Sequence, residues 1–162
     1  SLFLTVSFCD FTMQDKIKLT SDQLKLMSLF QEISGAMAKD CIIDDKMNRV
    51  IFVVNKGEMG LAIGKNGQSI KNIKKSIGQD VDLVEYSEDP VELISNSLNP
   101  KLVKDIKLTE KADGLKTAIV YVDDSKKGEI VGRNGKNAER ARLLAKRYFQ
   151  ISTLQIINSE QQ

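Results

Sequence analysis

Residues 60–73 read GLAIGKNGQSIKNI, and residues 128–141 read GEIVGRNGKNAERA. Each stretch holds two glycines separated by one basic residue and one asparagine, followed by a run with helical spacing. The two loops are Gly64-Lys65-Asn66-Gly67 and Gly132-Arg133-Asn134-Gly135. One such loop is a weak signal, because most are turns, but two loops in matching contexts indicate an internal repeat.

The similarity extends upstream of both loops. At the same offset, residues 50–55 (VIFVVN) align with residues 118–123 (AIVYVD), and Gly60 aligns with Gly128. Runs rich in β-branched residues predict strands. The chain is therefore interpreted as two copies of one folding unit.

Start signals and periodicity predict the same order of elements in each copy. Thr20 to Gln23 has the form of a capping box, with apolar residues at helical spacing up to Met37, and Asp89-Pro90 starts a helix that runs to about Leu98. Each copy reads helix, strand, strand, helix, loop, helix, strand, which predicts an α+β fold in which each three-stranded sheet has helices packed on one face. The other predicted strands are residues 41–44, 49–55, 81–86, 103–109, 115–123 and 153–157, and the other predicted helices are residues 58–63, 68–77, 126–131 and 136–149.

The predicted domains are a first unit at residues 16–86 and a second at residues 87–158, with a tail at residues 159–162 and no flexible linker between the units. Residues 1–15 are predicted to be a non-native or disordered extension, because Met13 can start the chain and the apolar run at residues 1–12 lacks the features of a signal peptide. The alternative for residues 1–12 is a short added strand, favoured by Phe3, Val6 and Phe8.

The basic residues concentrate around the two loops. Residues 56–75 carry a charge of +4 and residues 126–147 carry +6, so the remainder sums to −8, since the whole chain carries +2. Solvated helix faces can show such runs, but both runs coincide with the glycine loops. This distribution predicts a basic face for a polyanion.

Residue usage disfavours an enzyme. The chain has no histidine, its two cysteines, Cys9 and Cys41, have no Cys-x-x-Cys partner, and the loops lack the spacing of a nucleotide-binding P-loop. We expect no metal, no cofactor and no small-molecule substrate, no membrane association, and a reducing, cytoplasmic location.

A Gly-x-x-Gly loop that opens a helix suits a phosphate, because the backbone can approach closely and the free helix amides are donors. Ile63 and Val131 precede the loops and are interpreted either as an apolar floor for unpaired bases or as ordinary core residues. The predicted RNA-binding residues are both loops together with Ile63, Val131, Lys71, Lys74, Lys75, Lys136 and Arg140.

These loops and their flanking elements resemble the signature of KH domains. The element order is similar to the type II arrangement, and two such units without a linker resemble the KH pair of the NusA family, particularly its short archaeal form. The resemblance implies binding of single-stranded RNA in transcription elongation, termination or antitermination. RNA polymerase is a further candidate partner, although a chain of this length has no room for the polymerase-binding domain of bacterial relatives. A ribosome-associated RNA binder, a protein-interaction module with vestigial loops and, last, an enzyme remain alternatives.

Overall fold

Residues 17–159 are described by a computed structural model. The predictions about residues 1–12 and Met13 lie outside the described residues, as does most of the predicted tail. The domain boundaries stay predictions, although the described elements fall into two units with one sheet each.

The first unit follows the predicted order of elements. Helix α1 has the predicted capping box, in which Gln23 N–H donates to the Thr20 side chain and the Gln23 side chain accepts from Thr20 N–H. The expectation that helical spacing continues to Met37 is wrong, because Gly35 adopts a left-handed conformation and ends α1, leaving Met37 exposed before the first strand. The elements are α1 (Ser21–Ser34), β1 (Ala38–Asp44), β2 (Arg49–Val54), α2 (Met59–Ile63), a 3-10 turn (Lys65–Gly67), α3 (Gln68–Ile77) and β3 (Asp80–Glu85).

The second unit repeats this order. Its first helix begins as predicted, with the Asp89 side chain accepting from Val91 N–H and Pro90 at the first helical position. The elements are α4 (Pro90–Ser97), β4 (Val103–Glu110), β5 (Lys116–Val122), a 3-10 turn (Asp124–Lys126), α5 (Lys127–Val131), a second 3-10 turn (Arg133–Gly135), α6 (Lys136–Phe149) and β6 (Ile151–Asn158).

Both sheets have the same topology. In the first sheet β2 pairs antiparallel with β1 and parallel with β3. In the second sheet β5 pairs antiparallel with β4 and parallel with β6. The α+β prediction of two three-stranded units is confirmed. Because the parallel pairing needs a crossover, the glycine loop and its two helices lie between the paired strands.

Each unit has its own core, on the sheet face that its own helices cover. Phe30, Phe52 and Ile73 are fully buried in the first core, and Val120, Ile130 and Ala141 are fully buried in the second. Phe30 and Phe52 stack with ring centroids 4.6 Å apart. These cores fix the helices that carry the loops.

A third cluster joins the two units. Every residue of β2 is buried, and Ile51 and Val53 pack with Leu93 of α4 and Leu144 of α6. The face of the first sheet that its own helices leave open is thus covered by helices of the second unit. This packing holds the two glycine loops in a fixed relation.

Candidate nucleic-acid interface

The two loops have the same backbone conformation. Gly64 and Gly132 have φ, ψ of 78°, 170° and 81°, 168°, and the asparagines that follow, Asn66 and Asn134, have φ of 57° and 59°. Gly67 has φ of 72° and immediately precedes α3, whose first turn receives no side-chain cap. Gly67 N–H donates to the Gly64 carbonyl and Gln68 N–H donates to the Lys65 carbonyl, so these two amides are engaged within the 3-10 turn. An anion at this position is favoured by the positive end of the α3 dipole.

The first glycine of each loop is required by both space and conformation. A Cβ on Gly64 would overlap Ser69 Oγ and lie 2.7 Å from Ser69 N, and a Cβ on Gly132 would lie 2.8 Å from the Asn137 side chain. A φ near +80° with ψ near 170° is moreover essentially restricted to glycine. Local packing against the following helix thus accounts for glycine at this position in both loops.

The cations of the first unit are directed to solvent. Lys65 lies in the loop and Lys71, Lys74 and Lys75 lie along α3, and all four side chains are exposed. Within residues 17–159, none of the four forms a salt bridge with a carboxylate. They form a basic surface that begins at the first loop and follows the helix.

The corresponding cations of the second unit are partly engaged by the first unit. Arg133 is exposed in the loop. Lys136 Nζ lies 3.1 Å from Asp80 Oδ2, while Arg140 donates to Asp82 Oδ2 at 2.9 Å and to the Ser97 carbonyl at 2.7 Å. Because the Arg140 side chain is only 14% exposed, the structure places it in the contact between units rather than on the surface around the loop.

The apolar residues beside the loops differ between the units. Ile63 is 41% exposed, whereas Val131 is half-buried and packs against the second core. Leu61, which is absent from the predicted RNA-binding residues, is 53% exposed and precedes Ile63 by two positions. The sequence offers only a weak signal for it, the three consecutive apolar residues Leu61 to Ile63 directly before the loop. The first unit therefore has an exposed apolar surface next to its loop, where the second unit has Glu129 and Val131.

Other kinds of site find no support in the described residues. Between residues 17 and 159 there is no group of histidine, cysteine, aspartate and glutamate side chains that could hold a metal ion. Burial raises the pKa of the Cys41 thiol to about 12, so this thiol is protonated and unreactive near neutral pH. No helix in the described part of the chain has the length and apolar character needed to cross a membrane.

Comparison with known proteins gives consistent matches. Residues 26–111 match the KH domain family, and residues 90–159 match the family of NusA-like second KH domains. The chain is 33% identical to the "Probable transcription termination protein NusA" of Halococcus morrhuae, covering 87% of this chain and 99% of that one. It is 30% identical to the protein of the same name from Methanocaldococcus jannaschii, covering 90% of this chain and 78% of that one.

A solved structure shows the same fold. The protein in "Crystal structure of APE1850" superposes with a TM-score of 0.78 at 34% sequence identity, covering 86% of this chain and 100% of that chain. The matches to both KH families and to these relatives extend over both units and both loops. The chain therefore belongs to the NusA family of tandem KH-domain proteins.

Proposed function

We propose that this protein binds single-stranded RNA through its two Gly-x-x-Gly loops and acts as a transcription elongation, termination or antitermination factor. The observation that carries the proposal is that both loops have one backbone conformation, a glycine that packing requires and an exposed cation, Lys65 or Arg133. A glycine backbone that a ligand can approach closely, the positive end of the following helix and an exposed cation together suit a phosphate group.

Bases must contact a different surface from the phosphates if the RNA sequence is to be read. Leu61 and Ile63 are exposed beside the first loop. An aliphatic surface of this kind accepts unstacked bases, which base-paired RNA does not present. This favours single-stranded RNA over a duplex.

The geometry supports one RNA path across both loops. Helix α3 starts at the first loop and, with ten residues, is about 15 Å long. Its far end is close to the second loop, because α3 ends at Ile77, three residues before Asp80, and Asp80 pairs with Lys136 directly after the second loop. The exposed lysines of α3 thus lie between the two loops.

The proposed RNA-binding surface keeps most of the residues predicted from sequence. Arg140 is excluded, because its guanidinium is held by Asp82 and the Ser97 carbonyl. Leu61 is added for its exposure. The proposed residues are Leu61, Ile63, Gly64, Lys65, Asn66, Gly67, Lys71, Lys74, Lys75, Val131, Gly132, Arg133, Asn134, Gly135 and Lys136.

The transcriptional role rests on the relatives, which are named as probable transcription termination proteins. For this chain we propose a cytoplasmic factor without catalytic activity that binds nascent or leader RNA, with RNA polymerase as its protein partner. Co-purification from cell extract decides between this role and ribosome association. Recovery with polymerase supports the proposal, and recovery with ribosomal subunits alone refutes the transcriptional part.

Fluorescence anisotropy with labelled single-stranded RNA tests the RNA-binding part. Lys65, Asn66, Arg133 and Asn134 are all changed to aspartate, which tolerates the left-handed conformation of the asparagine positions. We expect binding to be lost, because each loop then repels phosphate. The matched control is Lys111→Asp with Ala112→Asp in the exposed β4–β5 turn. It changes the net charge by the same amount as the two substitutions in one loop, but at a position away from both loops. Unchanged affinity of the loop variant would refute the proposal.

A further inference from the structure

A carboxylate of the first unit is bound to the cation that follows the second loop. Lys136 is the first residue of α6, and its Nζ lies 3.1 Å from Asp80 Oδ2 at the start of β3. The two side chains are 31% and 62% exposed, so solvent and ligands reach the pair. The hydrogen bond and charge of Lys136 hold the pKa of Asp80 below its usual range, so the carboxylate is ionised near neutral pH.

The first loop has no comparable arrangement among the described residues. The position equivalent to Lys136 is Gln68, a neutral residue that donates to Asn72 on its own helix. The loop cation Lys65 and the α3 lysines form no salt bridge within residues 17–159. A phosphate can therefore approach the first loop without displacing an ion-pair partner, whereas one approaching Lys136 meets Asp80.

We propose that Asp80 competes with an RNA phosphate for Lys136 and so sets the affinity of the second loop. This inference rests on the proposed RNA-binding function. A carboxylate and a phosphate are both anionic oxygen acceptors, and the lysine ammonium is a compact charge on a flexible stem that can bind either. In the free protein Asp80 occupies Lys136, and RNA that reaches the second loop displaces it.

The competition gives the loops different roles. RNA binds first at the first loop, where no carboxylate has to leave, and then extends along α3 towards Lys136. A ligand long enough to contact both loops is therefore favoured over a short one.

The test is a double-mutant cycle read out by RNA affinity. Asp80→Asn keeps the shape of the side chain and removes its charge, and Lys136→Gln gives the second unit the residue present in the first. We expect Asp80→Asn to strengthen RNA binding about two- to fivefold, the range for releasing an exposed ion pair. The salt dependence should change by less than one phosphate contact, about 0.7 on a single strand, because Lys136 contacts phosphate in both proteins. In the Lys136→Gln background, Asp80→Asn should have little effect.

The matched control is Glu92→Gln, which removes one carboxylate from another Lys–carboxylate pair between the units, Lys56 with Glu92 at 3.7 Å. An equal gain in affinity from Glu92→Gln, or an undiminished gain from Asp80→Asn in the Lys136→Gln background, would show a general charge effect and overturn the inference. Unchanged or weaker binding by Asp80→Asn also overturns it, since Asp80 would then orient Lys136. If the unmodified protein binds no single-stranded RNA, the proposed function itself fails, which is a distinguishable result.

Discussion

The loop asparagines show what a single residue contributes to this interface. The sequence analysis includes Asn66 and Asn134 among the predicted RNA-binding residues as members of the two loops. Both adopt positive φ in the structure, a conformation that asparagine tolerates better than most residues. The backbone conformation therefore explains why asparagine occurs at the same position of both loops. The sequence pattern shows only that these residues are polar.

The two glycines of one loop should differ in how well they tolerate alanine. Gly64→Ala places a Cβ against the backbone of Ser69 in a conformation restricted to glycine, so we expect a loss of about 3 kcal/mol in the free energy of unfolding. Gly67→Ala meets open space and only a left-handed backbone, so about 1 kcal/mol is expected. Urea denaturation of both variants measures the difference, and equal losses would contradict the assigned loop geometry.

The raised pKa of the buried Cys41 thiol predicts that the free energy of unfolding decreases at alkaline pH. Its pKa is about 12 in the folded protein, against an ordinary value of 9.0. Because the unfolded chain releases this proton first, the free energy of unfolding falls by about 1.4 kcal/mol per pH unit above pH 9, until the folded pKa is reached. Denaturation midpoints measured from pH 8 to 11 for the unmodified protein and Cys41→Ala test this. Curves of identical slope would rule out the effect.

At the scale of the element, helices were better predicted than strands. The predicted bounds of α3 and α6 agree with the structure, because helical periodicity is clear and Gly67, Gly78 and Gly135 mark three of the ends. Strand β1 was predicted to begin at Cys41 but begins at Ala38. A bulge between Ala38 and Asp40 lets β1 pair with β2 over a longer stretch, and the charged Asp40 concealed this from the sequence pattern.

Asp40 also shows why the contact between the units could not be predicted. Its carboxylate accepts two bonds from Arg147, at 2.6 and 2.9 Å, and one from the Tyr148 hydroxyl at 2.6 Å. These residues of β1 and α6 are more than 100 positions apart in sequence. A strand aspartate and a helix arginine are each ordinary surface residues until the fold brings them together.

Asp40→Ala should therefore destabilise the protein strongly. The substitution leaves the Arg147 guanidinium and the Tyr148 hydroxyl, both partly buried, without their acceptor, so we expect a loss of about 2 to 4 kcal/mol in the free energy of unfolding. The control is Asp123→Asn, which breaks the exposed pair with Lys104 and should cost less than 1 kcal/mol. Comparable losses in the two variants would show that the Asp40 contact contributes no more than a surface pair.

At the scale of the whole molecule, the repeat predicted two similar units without a linker but not how they pack. The sequence could not show that helices α4 and α6 cover the second face of the first sheet, since Leu93 and Leu144 fit an ordinary core equally well. Nor could it show that Arg49 is fully buried and bonded to Asp44 and Asp82. Asp82 binds Arg140 as well, so one carboxylate connects arginines of both units.

This packing makes one continuous RNA-binding surface the central claim. Because the two loops are held in a fixed relation, one RNA molecule can contact both. Contact at the first loop then raises the effective concentration of RNA at the second loop. Disabling either loop should then remove more than half of the binding free energy that is lost when both are disabled. Independent loops would instead give losses that add.

The most direct measurement is the affinity for a single-stranded RNA long enough to contact both loops, by fluorescence anisotropy at fixed salt. It compares the unmodified protein with Lys65→Asp/Asn66→Asp, with Arg133→Asp/Asn134→Asp, with all four changes, and with the Lys111→Asp/Ala112→Asp control. We predict that each loop variant alone loses more than half of the free energy lost by the fourfold variant, while the control binds nearly as the unmodified protein does. Two losses that sum to the fourfold loss, or a fourfold variant that binds normally, would contradict it.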